Sequence, residues 1–255
     1  MTRYSYLGPA GTFTERALLQ VPGAADAERI PVANVGEALR DVTDGRSDAA
    51  MIAVENSLEG VVTAAQDALA TVPGLRILSE HLVPVSFVLV GPPGQAIEDA
   101  GVVVAHPVAY GQCLQWLGAH LPSHQHIPAS SNVTAAIGLE PGQVALSTPT
   151  ITDHVDVDVL ATDVIDNPHA VTRFALVGRP GPLPKRTGAD KTSVIAELPS
   201  DAPGVLLEML EQFATRGVNL SLIQSRPIGD RLGRYRFVLD LDGHATDERV
   251  ADALV

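Results

Sequence analysis

Thr172, Arg173 and Phe174 stand in a row in the stretch "NPHAVTRF", a hydroxyl directly before a guanidinium. Arg173 is the first cation after Arg76. Residues 77–172 hold neither Lys nor Arg, yet they carry several carboxylates and seven of the eight histidines. Capture of an anion suits this pattern. Arginine can grip a carboxylate through two parallel N–H donors, and the neighbouring hydroxyl can act on what is held. The competing reading is a salt bridge from Arg173 to a nearby acid, and composition rates the two equal.

Further polar residues gather where apolar runs end. "GPAGTFTE" contains a tight turn of Gly8, Pro9 and Gly11. Thr12 and Glu15 in it have the spacing of a capping box, in which Thr12 caps a helix and Glu15 reaches back. The turn has neither the Lys-Ser/Thr of a phosphate loop nor the glycine spacing of a dinucleotide site. "VENSLEG" places Glu55, Asn56 and Ser57 at the end of the apolar run "AAMIA". "AHPVAYGQ" places His106 at a turn and Gln112 on the helix after it. Ser131 and Thr148 open two further segments, and for each a simple N-cap is the competing reading. Together these residues describe helix starts and hydroxyls around a cleft, which suits a carboxylated ligand.

These groups need elements to hold them. Up to about residue 180, short apolar runs alternate with amphipathic ones. "YSYLG", "DAAMIAVE", "VSFVLVG", "GVVVA", "QVALS" and "VDVLAT" read as strands. "TERALLQV", "VVTAAQDALATV", "YGQCLQWLGAHL", "SNVTAAIGL" and "TPTITDHV" read as helices. The alternation predicts α/β units on mostly parallel sheets. "TRFALVG" reads as a strand that returns to the first sheet and sets Thr172 and Arg173 beside the cleft. Residues 181–190 belong to a Pro- and Gly-rich stretch that also holds both lysines, and read as a linker. Beyond it come a strand, a helix over "APGVLLEMLEQFATRG" with Leu206, Leu207, Leu210, Phe213 and Ala214 on one face, a hairpin through "IGDRLG", and a second helix. This βαββα order is one strand short of the ferredoxin-like βαββαβ unit.

At 255 residues and a net charge of -13, the chain can form two cored domains and lacks the clustered cations that nucleic acid or an anionic membrane requires. Its one cysteine, Cys113, allows no internal disulfide and reads as a small buried hydrophobe. With neither a secretory signal pattern nor a run long enough to span a membrane, the sequence reads as cytoplasmic.

"GPAGTFTE", "VENSLEG", "HPVAYGQC" and "TRF", in this order, resemble prephenate dehydratase, and "GVNLSLIQSRP" resembles the ACT domain that follows it. The resemblance covers residue 4 to the end. It implies an α/β fold with a two-lobed catalytic domain like type II periplasmic binding proteins over 1–180. Its first lobe is about 1–80 and 166–180, and its second about 81–165. An ACT regulatory domain follows at 191–255, its last strand absent. It also implies a monofunctional enzyme that converts prephenate to phenylpyruvate with loss of water and carbon dioxide in L-phenylalanine biosynthesis. No metal and no organic cofactor is implied, because aromatisation drives the reaction.

By this resemblance the catalytic threonine is Thr172 of the motif completed by Arg173 and Phe174, with Asn56 and Gln112 beside the substrate. Thr12, Glu55, Ser57, His106, Ser131 and Thr148 complete the binding set, and Glu55, His106 and His169 are the candidate proton sources. Ala105 stands where some relatives have a serine. L-phenylalanine, as allosteric effector, is expected at Gly204, Val205, Leu206, Asn219, Leu220, Gln224 and Ser225, between paired domains of a homodimer or homotetramer. Gln224 replaces the glutamate of the common Glu-Ser-Arg-Pro run. Two other functions compete with this one: an arogenate dehydratase, and a non-catalytic amino-acid sensor.

Overall fold

The computed structural model describes residues 1–200, 202–231 and 233–255. The chain divides into two units, Met1–Pro180 and Gly181–Val255.

In the first unit, β1 (Arg3–Leu7), β2 (Glu28–Val32), β3 (Ala49–Asn56), β5 (Arg76–Pro84) and β11 (Val171–Gly178) form one sheet in the order β2-β1-β3-β11-β5, with β4 (Gly60–Val61) paired to β3. The strands are apolar because both faces are covered. On one face, α1 (Phe13–Leu18) packs Ala17 and Leu18 against Tyr6, Met51, Phe174 and Leu176. On the other lie α2 (Val35–Thr43) and α3 (Thr63–Thr71), whose Val35, Ala38, Leu39, Val42 and Ala65 meet Ala50, Ile52, Val54, Ala175 and Val177. The buried residues of α2 recur at the three- and four-residue spacing of one helix face. Neither β2 nor α2 is among the sequence-derived elements.

A second sheet holds β6 (Val88–Gly91), β7 (Val102–Ala105), β8 (Gln125–Pro128), β9 (Gln143–Ser147) and β10 (Asp158–Ala161), in the order β10-β6-β9-β7-β8. Around it lie α4 (Pro107–Gly111), α5 (Leu114–His120) and α6 (Asn132–Ala135). Both sheets are mixed, not mostly parallel. β11 runs antiparallel to β3 and to β5, and β6 runs antiparallel to β9 and to β10. The reason is topological: strands that return from one sheet to the other arrive without a crossover helix of their own. Phe13 packs against the cores of both sheets and meets Phe87 edge-on, with ring centroids 5.7 Å apart.

Two expected helices are broken or shortened. The segment "TPTITDHV" contracts to a single 3-10 turn, Ile151–Asp153. The run "YGQCLQWLGAHL" splits at Gln112–Cys113 into α4 and α5. Asp166, from a distant part of the chain, supplies part of the cause. Its N–H donates to the Gln112 carbonyl (2.8 Å), and its carboxylate accepts from the N–H groups of Gln115 and Trp116 (2.9 Å each). Outside groups thus take over bonds that a continuous helix would make within itself.

The second unit contains β12 (Lys191–Glu197), α7 (Val205–Ala214), β13 (Leu220–Pro227), β14 (Tyr235–Asp242) and α8 (Glu248–Ala253), with strand order β12-β14-β13. The connection between β13 and β14 includes Leu232, which lies outside the described residues. Phe213 and Val250 pack on Leu239 and Leu241, with Met209 beside them. Leu206 and Leu207 stay exposed, so the buried face of α7 is narrower than its leucines suggest. No helix among the described residues is long and apolar enough to cross a membrane.

Candidate active site

β11 brings Thr172 opposite Asn56 and Arg173 opposite Glu55. The pairing then skips Val54, because Phe174 lies opposite Ala53. This bulge changes where β3 points. Ala50, Ile52 and Val54 face α2 and α3, so strict alternation would send Asn56 the same way. After the bulge, Asn56 shares a face with Thr172 instead.

The two side chains meet there. Asn56 Nδ2 donates to Thr172 Oγ1 at 3.0 Å. The opposite orientation of the amide is excluded, because Asn56 Oδ1 accepts the N–H groups of Leu58 (2.9 Å) and Glu59 (3.1 Å). Gln112 Nε2 adds a longer contact to the same Oδ1, at 3.4 Å. Thr172 Oγ1 therefore acts as an acceptor toward Asn56, and among the described residues nothing claims its proton. Gln112 is buried, and its Oε1 has no hydrogen-bond partner among the described residues. A buried amide oxygen without a donor is costly, and this one lies in the same cluster as the Thr172 hydroxyl. The cluster thus offers one hydroxyl proton and one amide acceptor.

Arg173 points the other way, since successive residues of a strand face opposite sides. Its Nε is 3.0 Å from Glu55 Oε2 and its Nη1 is 3.4 Å from Glu80 Oε2. Where the sequence suggests an anion clamp, the guanidinium holds two carboxylates of the chain, on the face away from Thr172. Phe174 faces the core. It is buried among Tyr6, Leu18 and Met51 and anchors the strand.

Other candidates act on the scaffold. Ser57 continues the pairing of β3 with β11, its N–H donating to Val171 O (2.9 Å) and its Oγ accepting Val171 N–H (3.0 Å). That fixes the backbone next to Thr172. His106 caps α4, its Nδ1 accepting Val108 N–H at 3.3 Å, and burial pushes its pKa below the ordinary histidine value. It is thus a poor proton source near neutral pH. Glu55 is committed to Arg173, and His169 is exposed. Ser131 forms a capping box with Thr134.

Thr12 caps α1 as expected, accepting Glu15 N–H at 3.4 Å. The carboxylate of Glu15, however, reaches Gly11 N (2.6 Å), not the N–H of Thr12, because Arg29 and the Tyr6 hydroxyl hold its other oxygen. Burial, then the neighbouring Glu15, pushes the Tyr6 phenol up to about 12. Thr148 Oγ1 donates to Gly11 O at 2.9 Å and joins this turn to the second sheet. Gly11 has φ +86, a backbone conformation that favours glycine, and it packs beside the ring of His154.

A cleft of about 410 Å³ opens between Leu7–Pro9, Pro31–Ala33 and Ser130–Ser131. Of the sequence-derived candidates only Ser131 lines it. The Asn56–Thr172–Gln112 cluster, by contrast, has an acceptor and a hydroxyl proton without partners among the described residues. The residue that sequence reasoning missed is Asp166. Its signal was a carboxylate at the start of Asp-Asn-Pro, a turn-forming run with no helix of its own to cap.

In the second unit, Gly204 (φ +95) opens α7, followed by Val205 and Leu206. Asn219 Nδ2 donates to Asp242 Oδ2 (2.6 Å), Leu220 starts β13, and Gln224 Nε2 donates to Ser225 O (3.3 Å). Among the described residues, no hydrogen bond joins the start of α7 to Gln224 or Ser225.

The family model for prephenate dehydratase matches residues 4–182, and that for the ACT domain matches residues 192–255. A curated prephenate dehydratase of Mycolicibacterium vanbaalenii is 43% identical over 269 residues, covering 100% of this chain and 86% of the relative. The crystal structure of prephenate dehydratase from Arthrobacter aurescens in complex with L-Phe is 55% identical, with TM-score 0.93 over 99% of this chain and 84% of that one. A solved structure described as a novel type of quorum quenching acylase is 27% identical, with TM-score 0.85 over 99% of this chain and 91% of that one.

Proposed function

The chain belongs to the prephenate dehydratase family, and on that premise we propose that it converts prephenate to phenylpyruvate in L-phenylalanine biosynthesis in the cytoplasm. The observation that carries the proposal is the Asn56–Thr172–Gln112 cluster, with a hydroxyl proton left free and a buried acceptor left unmet. In the reaction the bond between ring and carboxylate breaks and carbon dioxide leaves. Its electron pair enters the ring, the ring C–O bond breaks on the far side, and the departing oxygen takes a proton and leaves as water.

A threonine hydroxyl is too weak an acid to surrender its proton outright at neutral pH. It can donate a hydrogen bond to an oxygen that gains charge in the transition state, which is where a fixed donor has most effect. Asn56 orients Thr172 for this by occupying one of its lone pairs. The substrate hydroxyl is itself a donor, and Gln112 Oε1 accepts it, so the leaving group is held from two sides. Arg173 contributes indirectly, by joining β3, β11 and β5 through Glu55 and Glu80.

An acylase reading requires a hydroxyl activated by a base. Thr172 instead receives an amide N–H, which favours hydrogen-bond donation over nucleophilic attack. We further propose that L-phenylalanine binds the second unit, between paired units of a homodimer or homotetramer, with the exposed Leu206, Leu207 and Ile223 supplying apolar surface. The test is turnover by the purified chain of prephenate, with arogenate and an acyl-homoserine lactone in parallel. Phenylpyruvate from prephenate is expected. Turnover of one of the others with none of prephenate overturns the reading. Calorimetry with L-phenylalanine and sedimentation at several protein concentrations test the effector and the assembly.

A further inference from the structure

We propose that Asp166 is a positioning residue for the reaction, holding Gln112 in reach of Asn56 by breaking one helix in two. This inference rests on the dehydratase reading and adds a residue to it. Asp166 makes three bonds to the junction of α4 and α5: its own N–H to Gln112 O, and its carboxylate to the N–H groups of Gln115 and Trp116. Gln112 is the residue at which α4 ends, with φ -87 and ψ 0, and Cys113 follows with φ -125 and ψ 14, outside the helical range. Were the run continuous, the direction of the Gln112 side chain would be set by the helix alone. Here Asp166 brackets that residue, with its N–H on the Gln112 carbonyl and its carboxylate on the start of α5.

That same part of the chain leads to the hydroxyl. From Asp166 the chain turns at Asn167–Ala170 and enters β11, which carries Thr172. Ser57 pins the strand at Val171, and Asp166 pins the turn before it. One short segment therefore fixes both the acceptor from the second sheet and the donor on the first. Cys113 sits at the break, fully buried in the core with Leu117 and Ala109, and is the only cysteine in the chain. It is a built-in reporter of whether the break stays closed.

The experiment compares Asp166→Ala, Asp166→Asn, Gln112→Ala and the double variant Asp166→Ala/Gln112→Ala. Each is assayed for prephenate turnover and for labelling of Cys113 by a thiol reagent under native conditions. A misplaced site group lowers kcat by about 100-fold, and that loss is expected for Asp166→Ala, with KM moving far less. Asn keeps one carbonyl oxygen, so it can accept from Gln115 or from Trp116 but not from both, and Asp166→Asn should fall between wild type and Asp166→Ala. In the Gln112→Ala background, Asp166→Ala should cost nothing more, because its effect passes through Gln112. Cys113 labelling should speed up in Asp166→Ala and less so in Asp166→Asn.

Full additivity in the double variant, or an unchanged kcat in Asp166→Ala, overturns the proposal. If Asp166→Ala does not fold, Asp166→Asn decides: a loss of kcat with faster Cys113 labelling supports the proposal, and an unchanged kcat overturns it. If wild type does not turn over prephenate, the dehydratase reading fails. Labelling of Cys113 then still judges the positioning claim, and an equal rate in wild type and Asp166→Ala overturns it.

Discussion

Replacing Thr172 with valine isolates the hydrogen bond on which the proposed mechanism turns. Valine has nearly the shape of threonine and suits a strand, so β11 should keep its pairing with β3 and β5. What disappears is one donor, the proton that nothing among the described residues claims. Removing a single donor to a developing oxyanion costs about 2.7–4 kcal/mol of barrier, or about 10²–10³ in kcat. The variant also leaves Asn56 Nδ2 facing a methyl group in place of its 3.0 Å acceptor. An unmet donor costs about 1–3 kcal/mol of stability, toward the low end here because Thr172 is only half-buried. Thr172→Ser is the control. It keeps the donor and the acceptor, loses one methyl, and should retain kcat within about tenfold. The assay is formation of phenylpyruvate, followed by its ultraviolet absorbance in alkali over a range of prephenate concentrations. Thermal unfolding of the same samples separates chemistry from stability. If Thr172→Val keeps the wild-type kcat, Thr172 is no donor in the rate-limiting step. If KM rises while kcat holds, its hydroxyl serves binding alone.

Three further outcomes follow from the same geometry. Glu55→Gln and Glu80→Gln each remove one partner of Arg173, and because these carboxylates are more than a third exposed, each should cost at most about 1 kcal/mol in denaturant unfolding. A large rise in KM instead would show that Arg173 does touch substrate. His106 is pushed to a lower pKa by burial, so its contribution to stability is present above the unfolded histidine pKa and fades as the pH falls through its folded one. The acid limb of a thermal unfolding profile should lose this dependence in His106→Asn, which keeps an N-cap acceptor, while His106→Ala loses about 1 kcal/mol near neutrality. The Tyr6 phenol, raised to about 12 by burial and then by Glu15, adds stability that is fully present below about pH 10 and is lost as the pH rises through 12. An ultraviolet titration should show one late-ionising tyrosine that vanishes in Tyr6→Phe. A tyrosine that lags in both proteins would place the perturbed phenol elsewhere.

The hydroxyl and amide residues of the site could be read from the sequence because they sit at the ends of elements, where a polar group can be both held and exposed. Asn56 ends β3, Thr172 stands at the start of β11 and Gln112 at the end of α4, and the three do come together. The direction of each side chain could not be read. Alternation along β3 sends Asn56 toward α2, and only the bulge at Val54 turns it toward Thr172. Alternation along β11 separates Arg173 from Thr172, so the charge gap that singles out Arg173 points to a pairing with Glu55 and Glu80. The break between α4 and α5 is only partly local: Gly111, the last residue of α4, weakens the helix there. Gln112 and Cys113 are ordinary helix residues, and the carboxylate that divides them lies far along the chain. Local pattern reports which residues meet solvent, core or turn. It does not report a bond supplied from elsewhere.

β11 is the last strand of the first unit to be made, yet it lies between β3 and β5. A growing chain therefore has its first sheet split into separate pieces until the whole second sheet has been synthesised. Through that interval β3 and β5 each expose a row of unpaired backbone groups, the kind of edge that invites wrong partners. Joining them requires contacts distant in sequence, which slows folding and lengthens the exposure. The same strand carries Thr172, so the hydroxyl reaches its neighbours in the step that closes the sheet. Recovery of activity during refolding should then coincide with the final structural phase, and a nascent chain stopped short of Val171 should be both inert and prone to aggregate.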